Sequence, residues 1–225
     1  MLKKIIASVT VILFLFTGCT AQMEEEAEVS ESSVSQTEIK ENEAFMRGAW
    51  ISYFELTRSD RTQEEYKSHL ESIFINMAEL GITDVFLHVR AFGDAIYPSE
   101  FFSPAQFVCD NGGELPFDVL SFCLEQGKKY GMSIHAWINP YRALNGDDVE
   151  SLKECRMKKW LAEKSSNVVK IGGRYYFNPA SDEVRELIID GVREILTNYP
   201  DVKGIHIDDY FYPESCGDFD KEQYT

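Results

Sequence analysis

The chain has 225 residues, of which 44% are hydrophobic and 27% charged, which is the balance of an ordinary globular protein. With 22 Lys and Arg against 38 Asp and Glu, its formal net charge is −16. A protein that binds nucleic-acid phosphates needs a basic footprint, so we expect no nucleic-acid partner. The length is sufficient to bury one sizeable hydrophobic core.

The N-terminus has the pattern of an export signal. Lys3 and Lys4 precede an apolar run over residues 5–16. That run is too short to anchor a chain stably across a bilayer. We therefore predict that residues 1–18 are a secretory signal peptide.

The end of the predicted signal peptide resembles the lipobox of bacterial lipoproteins. Gly18 is followed by Cys19, and Phe16 stands where Leu is usual. The resemblance implies that Cys19 is lipidated and anchors an exported protein to the outer side of the cell membrane. Ordinary signal cleavage near Ala21, with Cys19 discarded, is the alternative.

Residues 19–44 differ in composition from the rest of the chain. They contain eight Glu, one Lys and no aromatic residue. Such a segment cannot bury enough apolar surface to offset its ordering entropy, and we predict a disordered acidic tether. The folded domain is predicted over residues 45–225. Its four cysteines lack C-x-x-C spacing, which disfavours zinc and leaves disulfides or free thiols open.

From residue 45 onward, predicted strands alternate with predicted helices. The strands are predicted over residues 48–53, 84–90, 132–139, 175–178 and 204–210. The helices are predicted over residues 63–80, 116–130, 149–163 and 181–198. This α/β alternation implies parallel βαβ units, in either a doubly wound sheet or a barrel. The chain has no G-x-G-x-x-G or Walker-type loop, and polar residues end each strand, which favours a (β/α)8 TIM-type barrel.

Alternation within the strands predicts which side chains face the barrel axis. Successive side chains of a strand point to opposite faces, so aliphatic residues share one face and polar or aromatic residues the other. We predict that Arg90, Asn139 and Asp208 lie at the carboxyl ends of the inward faces. There they would bind or act on a substrate, because buried charge is costly unless it is paired or used. An interior Arg90–Asp208 salt bridge is the structural alternative.

Asp208 and Asp209 are the candidate catalytic residues. Adjacent residues point to opposite sides of a strand, so only one can face the axis, and alternation favours Asp208. Asp209 is expected to cap the loop or to bind substrate from the rim. Glycosidic cleavage needs two carboxyl groups roughly 5 to 9.5 Å apart, so the partner should come from another strand. Glu55, Asp94 and Glu100 are weaker candidates for that partner.

Aromatic residues cluster near the predicted strand ends. Flat rings stack on the apolar faces of sugars, although simple core packing is the alternative, especially for Trp50. The aromatic candidates are Trp50, Trp137, Tyr141, Tyr210 and Tyr212. The predicted substrate-binding residues are Arg90, Asn139, Tyr141, Arg142, Trp137, His206 and Tyr210.

Three histidines share the inward alternation, namely His88, His135 and His206. Imidazoles on neighbouring barrel strands can bind zinc, so a metal-dependent hydrolase is one hypothesis. All three lie below the strand ends, where hydrogen-bonded core histidines are commoner. We therefore predict no metal and no other cofactor.

Five motifs occur together in a fixed order. They are 47–50 (RGAW), 88–90 (HVR), 135–142 (HAWINPYR), 177–179 (FNP) and 204–213 (GIHIDDYFYP). The ordered set resembles the glycosyl-hydrolase-like 10 family of exported bacterial proteins. The resemblance implies a TIM-type barrel that acts on glycan strands, including peptidoglycan stripped of its peptides.

The last strand also resembles the fourth strand of amylase-like barrels. That resemblance places Asp208 at the catalytic carboxylate, with His206 where Arg is usual. A full barrel needs about 250 residues and eight strands, whereas 181 residues follow position 44 and form about four βα units. We therefore expect residues 45–225 to be the N-terminal half of the barrel, incomplete and inactive alone.

The sequence thus predicts a membrane-anchored glycoside hydrolase acting on cell-wall glycan or a related polysaccharide. A non-catalytic glycan-binding lipoprotein with the same aromatic residues is the alternative.

Overall fold

A computed structural model describes residues 45–110, 113–146, 149–211 and 221. The predicted signal peptide, the acidic tether, Cys19 and Tyr212 lie outside the described residues. None of the helices in the described part of the chain has the length and apolar character needed to cross a membrane.

Nine strands and four helices form the described part of the domain. The strands are β1 (Gly48–Ile51), β2 (Asp84–Arg90), β3 (Asp94–Ala95), β4 (Ser103–Pro104), β5 (Ser133–Ile138), β6 (Arg142–Asn145), β7 (Val168–Ile171), β8 (Arg174–Phe177) and β9 (Gly204–Ile207). The helices are α1 (Gln63–Glu79), α2 (Val119–Tyr130), α3 (Arg156–Ala162) and α4 (Asp182–Asn198).

The main sheet contains four parallel strands in the order β1-β2-β5-β9. Helix α1 connects the first pair, α2 the second and α4 the third. Each new strand therefore adds to the same edge, whereas a doubly wound sheet reverses direction at a switch point. The predicted α/β class is confirmed. The four strands form an open sheet, and no closed barrel is present among the described residues.

Side chains on the helix-facing side of the sheet form the hydrophobic core. In β5 the even-numbered residues are buried and the odd-numbered residues are half-buried, so the predicted alternation is confirmed there. Ile134, Ala136 and Ile138 are at most 2% exposed. Burial of one large aliphatic side chain contributes roughly 1.5–3 kcal/mol, so this layer determines the register of the sheet.

Local hydrogen bonds explain where the helices begin. Thr62 and Glu65 form a capping box at the start of α1. Helix α2 begins at Val119, three residues later than predicted, because Asp118 Oδ1 accepts from the Ser121 backbone N–H at 2.9 Å. Pro116 therefore precedes the helix. Ser181 caps α4 as its side chain accepts from the Val184 N–H.

A small antiparallel sheet lies between β5 and α4 in the sequence. Its strand order is β6-β8-β7, and α3 lies between β6 and β7 in the chain. Sequence analysis predicted only the strand near residues 175–178 and a helix over 149–163. The helix is confined to Arg156–Ala162, and β6 and β7 are additional. We call residues 142–177 the inserted unit.

Candidate functional site

One face of the main sheet carries a layer of aromatic and imidazole rings. Phe86 lies 4.9 Å, centroid to centroid, from both Trp50 and His206. The rings of His88 and Trp137 are stacked at 3.7 Å. The predicted alternation is confirmed for these residues, which lie opposite the aliphatic core. We call this layer, which includes His135, the aromatic face.

Two glycines allow the rings to lie flat across neighbouring strands. A Cβ atom at Gly48 would approach Phe86 Cε2 to 2.9 Å. A Cβ atom at Gly204 would approach His135 Nδ1 to 3.2 Å. Because a side chain at Gly48 would collide with the Phe86 ring, the residue at that position must be small.

The three histidines of the aromatic face contact rings and carboxylates. His135 Nε2 lies 2.9 Å from Asp84 Oδ1, and Trp50 Nε1 donates to His206 Nε2 at 3.4 Å. Burial, followed by the positive charge of Arg142, lowers the pKa of His88 to about 3, so its ring is neutral at neutral pH. Within the described ranges, no three His, Cys, Asp or Glu side chains are grouped as a metal site.

The carboxyl end of β9 carries the two candidate catalytic residues. Asp209 has a φ of 49°, in the left-handed region that Asp tolerates better than most residues. Its carboxylate forms an ion pair with Arg142 Nε, and both side chains are about one-third exposed. The Asp209 N–H donates to Asp208 Oδ1 at 2.7 Å. The two carboxylates therefore have different partners, a guanidinium and a backbone amide.

Asp208 is also tied to the neighbouring strand, because its backbone N–H donates to the Ile138 carbonyl at 3.2 Å. This bond continues the β5–β9 ladder past the end of β9. Arg142 begins β6, four residues after the end of β5. The inserted unit therefore brings Arg142 to Asp209, a contact that sequence analysis did not predict.

Asn139 is buried at the end of β5, where its side chain forms two hydrogen bonds. It is 3% exposed, and its Oδ1 accepts from Trp137 Nε1 at 3.1 Å. Its Nδ2 donates to the Ala91 carbonyl at 3.2 Å. Asn139 therefore orients the indole of Trp137 and joins β5 to the segment after β2.

The two tyrosine candidates differ in exposure. Tyr141 is half-buried, and its carbonyl accepts from the Phe177 N–H at 2.8 Å. Tyr210 is 55% exposed and lies 4.9 Å from the Phe211 ring. Tyr210 is therefore the more accessible ring of the pair.

The predicted orientation of Arg90 is wrong. His88 pairs with Trp137 and Arg90 with Ile138, so a bulge at Val89 reverses the alternation. Arg90 is fully buried on the helix-facing side, and its guanidinium lies 3.6 Å from the centroid of the Phe102 ring. Arg90 therefore does not lie on the aromatic face.

The surroundings of Arg90 also differ from the structural alternative, an interior Arg90–Asp208 salt bridge. The nearby acidic groups that act on Arg90 are Asp94 and Glu194, and burial lowers its pKa. Among the described residues no atom accepts a hydrogen bond from the guanidinium. Strand alternation carries no signal for a bulge, which explains the incorrect prediction.

A cavity of about 290 Å³ opens between the segment after β2 and the inserted unit. Tyr53 and Asp94 line it, and burial raises the pKa of Asp94 to about 6. Tyr53 was not among the predicted site residues, and Asp94 was only a weak candidate. The GAWISY motif contains Tyr53, but nothing in its spacing indicates a cavity.

A parallel sheet of βα units with acidic and aromatic side chains at its carboxyl edge has the arrangement in which barrel enzymes of this type place their active sites. The family model described as Glycosyl hydrolase-like 10 matches residues 45–225, and the chain belongs to this family. The family predicted from the five motifs is therefore confirmed.

Two curated relatives carry the name glycosyl hydrolase. The chain is 30% identical to YngK of Bacillus subtilis (strain 168) over 152 residues, which cover 67% of this chain and 29% of YngK. It is 33% identical to DigH of Escherichia coli (strain K12) over 151 residues, which cover 63% of this chain and 34% of DigH. The chain thus spans about a third of the length of these relatives.

Similar solved structures include two sugar-processing enzymes. Alpha-L-fucosidase isoenzyme 2 from Paenibacillus thiaminolyticus matches with a TM-score of 0.48 and 15% identity, over 72% of this chain and 23% of the fucosidase. The maltogenic alpha-amylase AmyB from Thermotoga neapolitana matches with a TM-score of 0.45 and 14% identity, over 79% of this chain and 42% of AmyB.

Proposed function

We propose that the protein is an exported, membrane-anchored glycoside hydrolase that acts on peptidoglycan glycan strands or a related polysaccharide. The observation that carries the proposal is the position of Asp208 and Asp209 at the carboxyl end of β9, beside the aromatic face. Glycosidic cleavage needs carboxyl groups, and sugar binding needs flat rings with polar neighbours. Candidate groups of both kinds lie at one edge of the sheet.

The order of the main strands supports a (β/α)8 barrel as the complete catalytic domain. Residues 45–225 would supply four βα units of that barrel, and the names of the curated relatives agree with such an enzyme. The N-terminal pattern supports export, with Cys19 as the lipidated residue.

The contacts of the two carboxylates suggest separate roles. Asp209 is held by Arg142, which makes it a positioning group at the rim. Asp208 accepts one backbone hydrogen bond and forms no ion pair among the described residues, so we assign it as nucleophile or base. The second catalytic carboxylate would come from another strand of the barrel.

The test is the release of reducing ends from peptidoglycan glycan strands by the native, membrane-extracted protein. We expect Asp208→Asn to reduce turnover by at least about a hundredfold, because it removes a reacting group. Asp201→Asn is the matched control, since Asp201 is exposed and precedes the amino end of β9, opposite to the end that carries Asp208. Normal turnover by Asp208→Asn would refute the assignment.

A non-catalytic glycan-binding lipoprotein is the second candidate. The observation that favours it is the ion pair that already occupies Asp209, next to an intact aromatic face. This candidate predicts glycan binding without release of reducing ends, by both the unmodified protein and Asp208→Asn.

A further inference from the structure

The cavity of about 290 Å³ lies beside the candidate site and is mainly apolar. Its apolar wall includes Tyr53, Phe92, Phe107 and Met157, and Asp94 supplies a carboxyl group. We call it the Tyr53 cavity. Its volume is at the small end of the range of ligand pockets, which runs from about 300 to 1,000 Å³. It can therefore hold one substituent or one ring, and a longer run of sugars must lie outside it.

Tyr53 connects this cavity to the aromatic face. Its ring meets His88 edge-on at 5.8 Å, centroid to centroid. The same ring lies 5.6 Å from Phe92 and 5.8 Å from Phe107, inside the cavity wall. A glycan that lies along the carboxyl edge would therefore meet the cavity as a side pocket.

The wall between β2 and the inserted unit is tightly packed. The Gly93 N–H donates to the Ala143 carbonyl at 2.8 Å. A Cβ atom at Gly93 would lie 2.8 Å from Met157 Sδ and 2.9 Å from Phe177 Cζ. The backbone thus closes this side without a side chain, and the cavity is formed before any ligand binds.

The lining combines apolar surface with hydrogen-bonding groups. Asp94 Oδ1 accepts from the Phe92 N–H at 3.0 Å, which orients the carboxyl group. Gln106 and Asn145 are exposed residues that also line the cavity. A charged substituent would lose hydration against the rings, whereas a neutral acylamino group offers a methyl group and an amide N–H.

We propose that the Tyr53 cavity binds the N-acyl substituent of a 2-acylamino sugar, with the acyl methyl against the rings and the amide N–H toward Asp94. The inference rests on the proposed function and specifies the class of sugar at its site. It makes Phe92, Phe107 and Asp94 specificity-determining residues.

The experiment compares two neutral hexasaccharides by titration calorimetry on the full chain. Chitohexaose has a 2-acetamido group on each ring where cellohexaose has a hydroxyl group. We expect chitohexaose to bind at least tenfold more tightly, which is the discrimination that roughly one to two buried apolar groups provide. Equal binding of the two sugars, or binding of neither, would overturn the proposal.

A variant that fills the cavity tests whether the preference for chitohexaose arises there. Leu144→Trp adds volume to the lining, and we expect the affinity ratio to fall to about one with unchanged affinity for cellohexaose. Trp160→Ala is the control, because Trp160 lines a separate cleft of about 520 Å³ in the inserted unit. If Leu144→Trp does not fold, Phe107→Ala enlarges the cavity and should lower the ratio as well. A folded variant of either kind that keeps the ratio would refute the proposal.

The hydrolysis assay separates this inference from the proposed function. The unmodified chain could release reducing ends in an Asp208-dependent way and still bind chitohexaose and cellohexaose equally. That result would refute N-acyl binding in the Tyr53 cavity and leave the hydrolase assignment in place. A cavity-dependent ratio without release of reducing ends would support the cavity in a glycan-binding protein.

Discussion

The buried carboxyl group of Asp94 should make stability depend on pH in a defined direction. Burial raises its pKa from 3.8 to about 6 in the folded protein. The folded state therefore binds the proton more tightly than the unfolded state. The stabilisation is fully present below pH 3.8 and is lost as the pH rises through 6.

The size of the effect follows from the difference between the two pKa values. One pKa unit corresponds to about 1.4 kcal/mol, so full ionisation would cost up to about 3 kcal/mol of unfolding free energy. Roughly half of that cost arises between pH 5 and pH 8. Asp94→Asn removes the titration while its side-chain oxygen can still accept from the Phe92 N–H.

The assay is urea unfolding of the unmodified chain and Asp94→Asn at pH 5, 6, 7 and 8. We expect the variant to gain about 1.5 kcal/mol relative to the unmodified chain between pH 5 and pH 8. The exposed Asp201→Asn serves as the matched control and should show no such trend. Parallel stability curves for the unmodified chain and Asp94→Asn would refute this account of the Asp94 environment.

Three further changes test other parts of the fold. His88→Phe should remove a destabilisation of about 2 kcal/mol at pH 5, because burial holds the pKa of His88 near 3 in the folded protein and the unfolded state therefore binds the proton more tightly at that pH. Urea unfolding at pH 5 and pH 7.5 measures this difference, and an unchanged pH dependence of the unfolding free energy would contradict it. Gly191→Ala should lower the unfolding free energy by about 1–3 kcal/mol, since the added Cβ atom would lie 2.5 Å from Arg90 Nη1 and from Phe102 Cε2. A calorimetric melting temperature equal to that of the unmodified chain would show that the packing around Arg90 is looser than described. Asp118→Ala should lower the unfolding free energy by about 1 kcal/mol or more, because it removes the α2 cap and the acceptor of the Tyr199 hydroxyl. Glu125→Gln, an exposed change on the same helix, is the control in the same unfolding assay. Equal losses of unfolding free energy in the two variants would argue against the cap.

Much of the main α/β fold follows from local pattern. Predicted helices over 63–80 and 181–198 correspond to α1 and α4, and the predicted strand over 84–90 is β2. These elements have one strongly apolar face, and that periodicity is a property of each segment by itself. The same alternation correctly placed His88, Trp137 and His206 on one face of the sheet.

The candidate site could be predicted only in part, because some of its contacts join residues that lie far apart in the chain. The motifs indicated Asp208 and Asp209, but the strand pattern could not show that Arg142 neutralises Asp209. Their contact joins residues 67 positions apart, through short strands whose sequences lack a clear period. The Tyr53 cavity depends likewise on the meeting of two separate loops with the inserted unit.

The family, the βα alternation and the aromatic face could be predicted from the amino-acid sequence, because each depends on residue types at short, regular spacing. The burial of Arg90, the environment of Asp94 and the partners of the two candidate catalytic residues emerge only when the strands pair and the loops pack. A single bulge at Val89 moved Arg90 from the sheet's aromatic face to its core. Such bulges and long-range contacts arise from how strands pair and loops pack, and side-chain periodicity does not encode them.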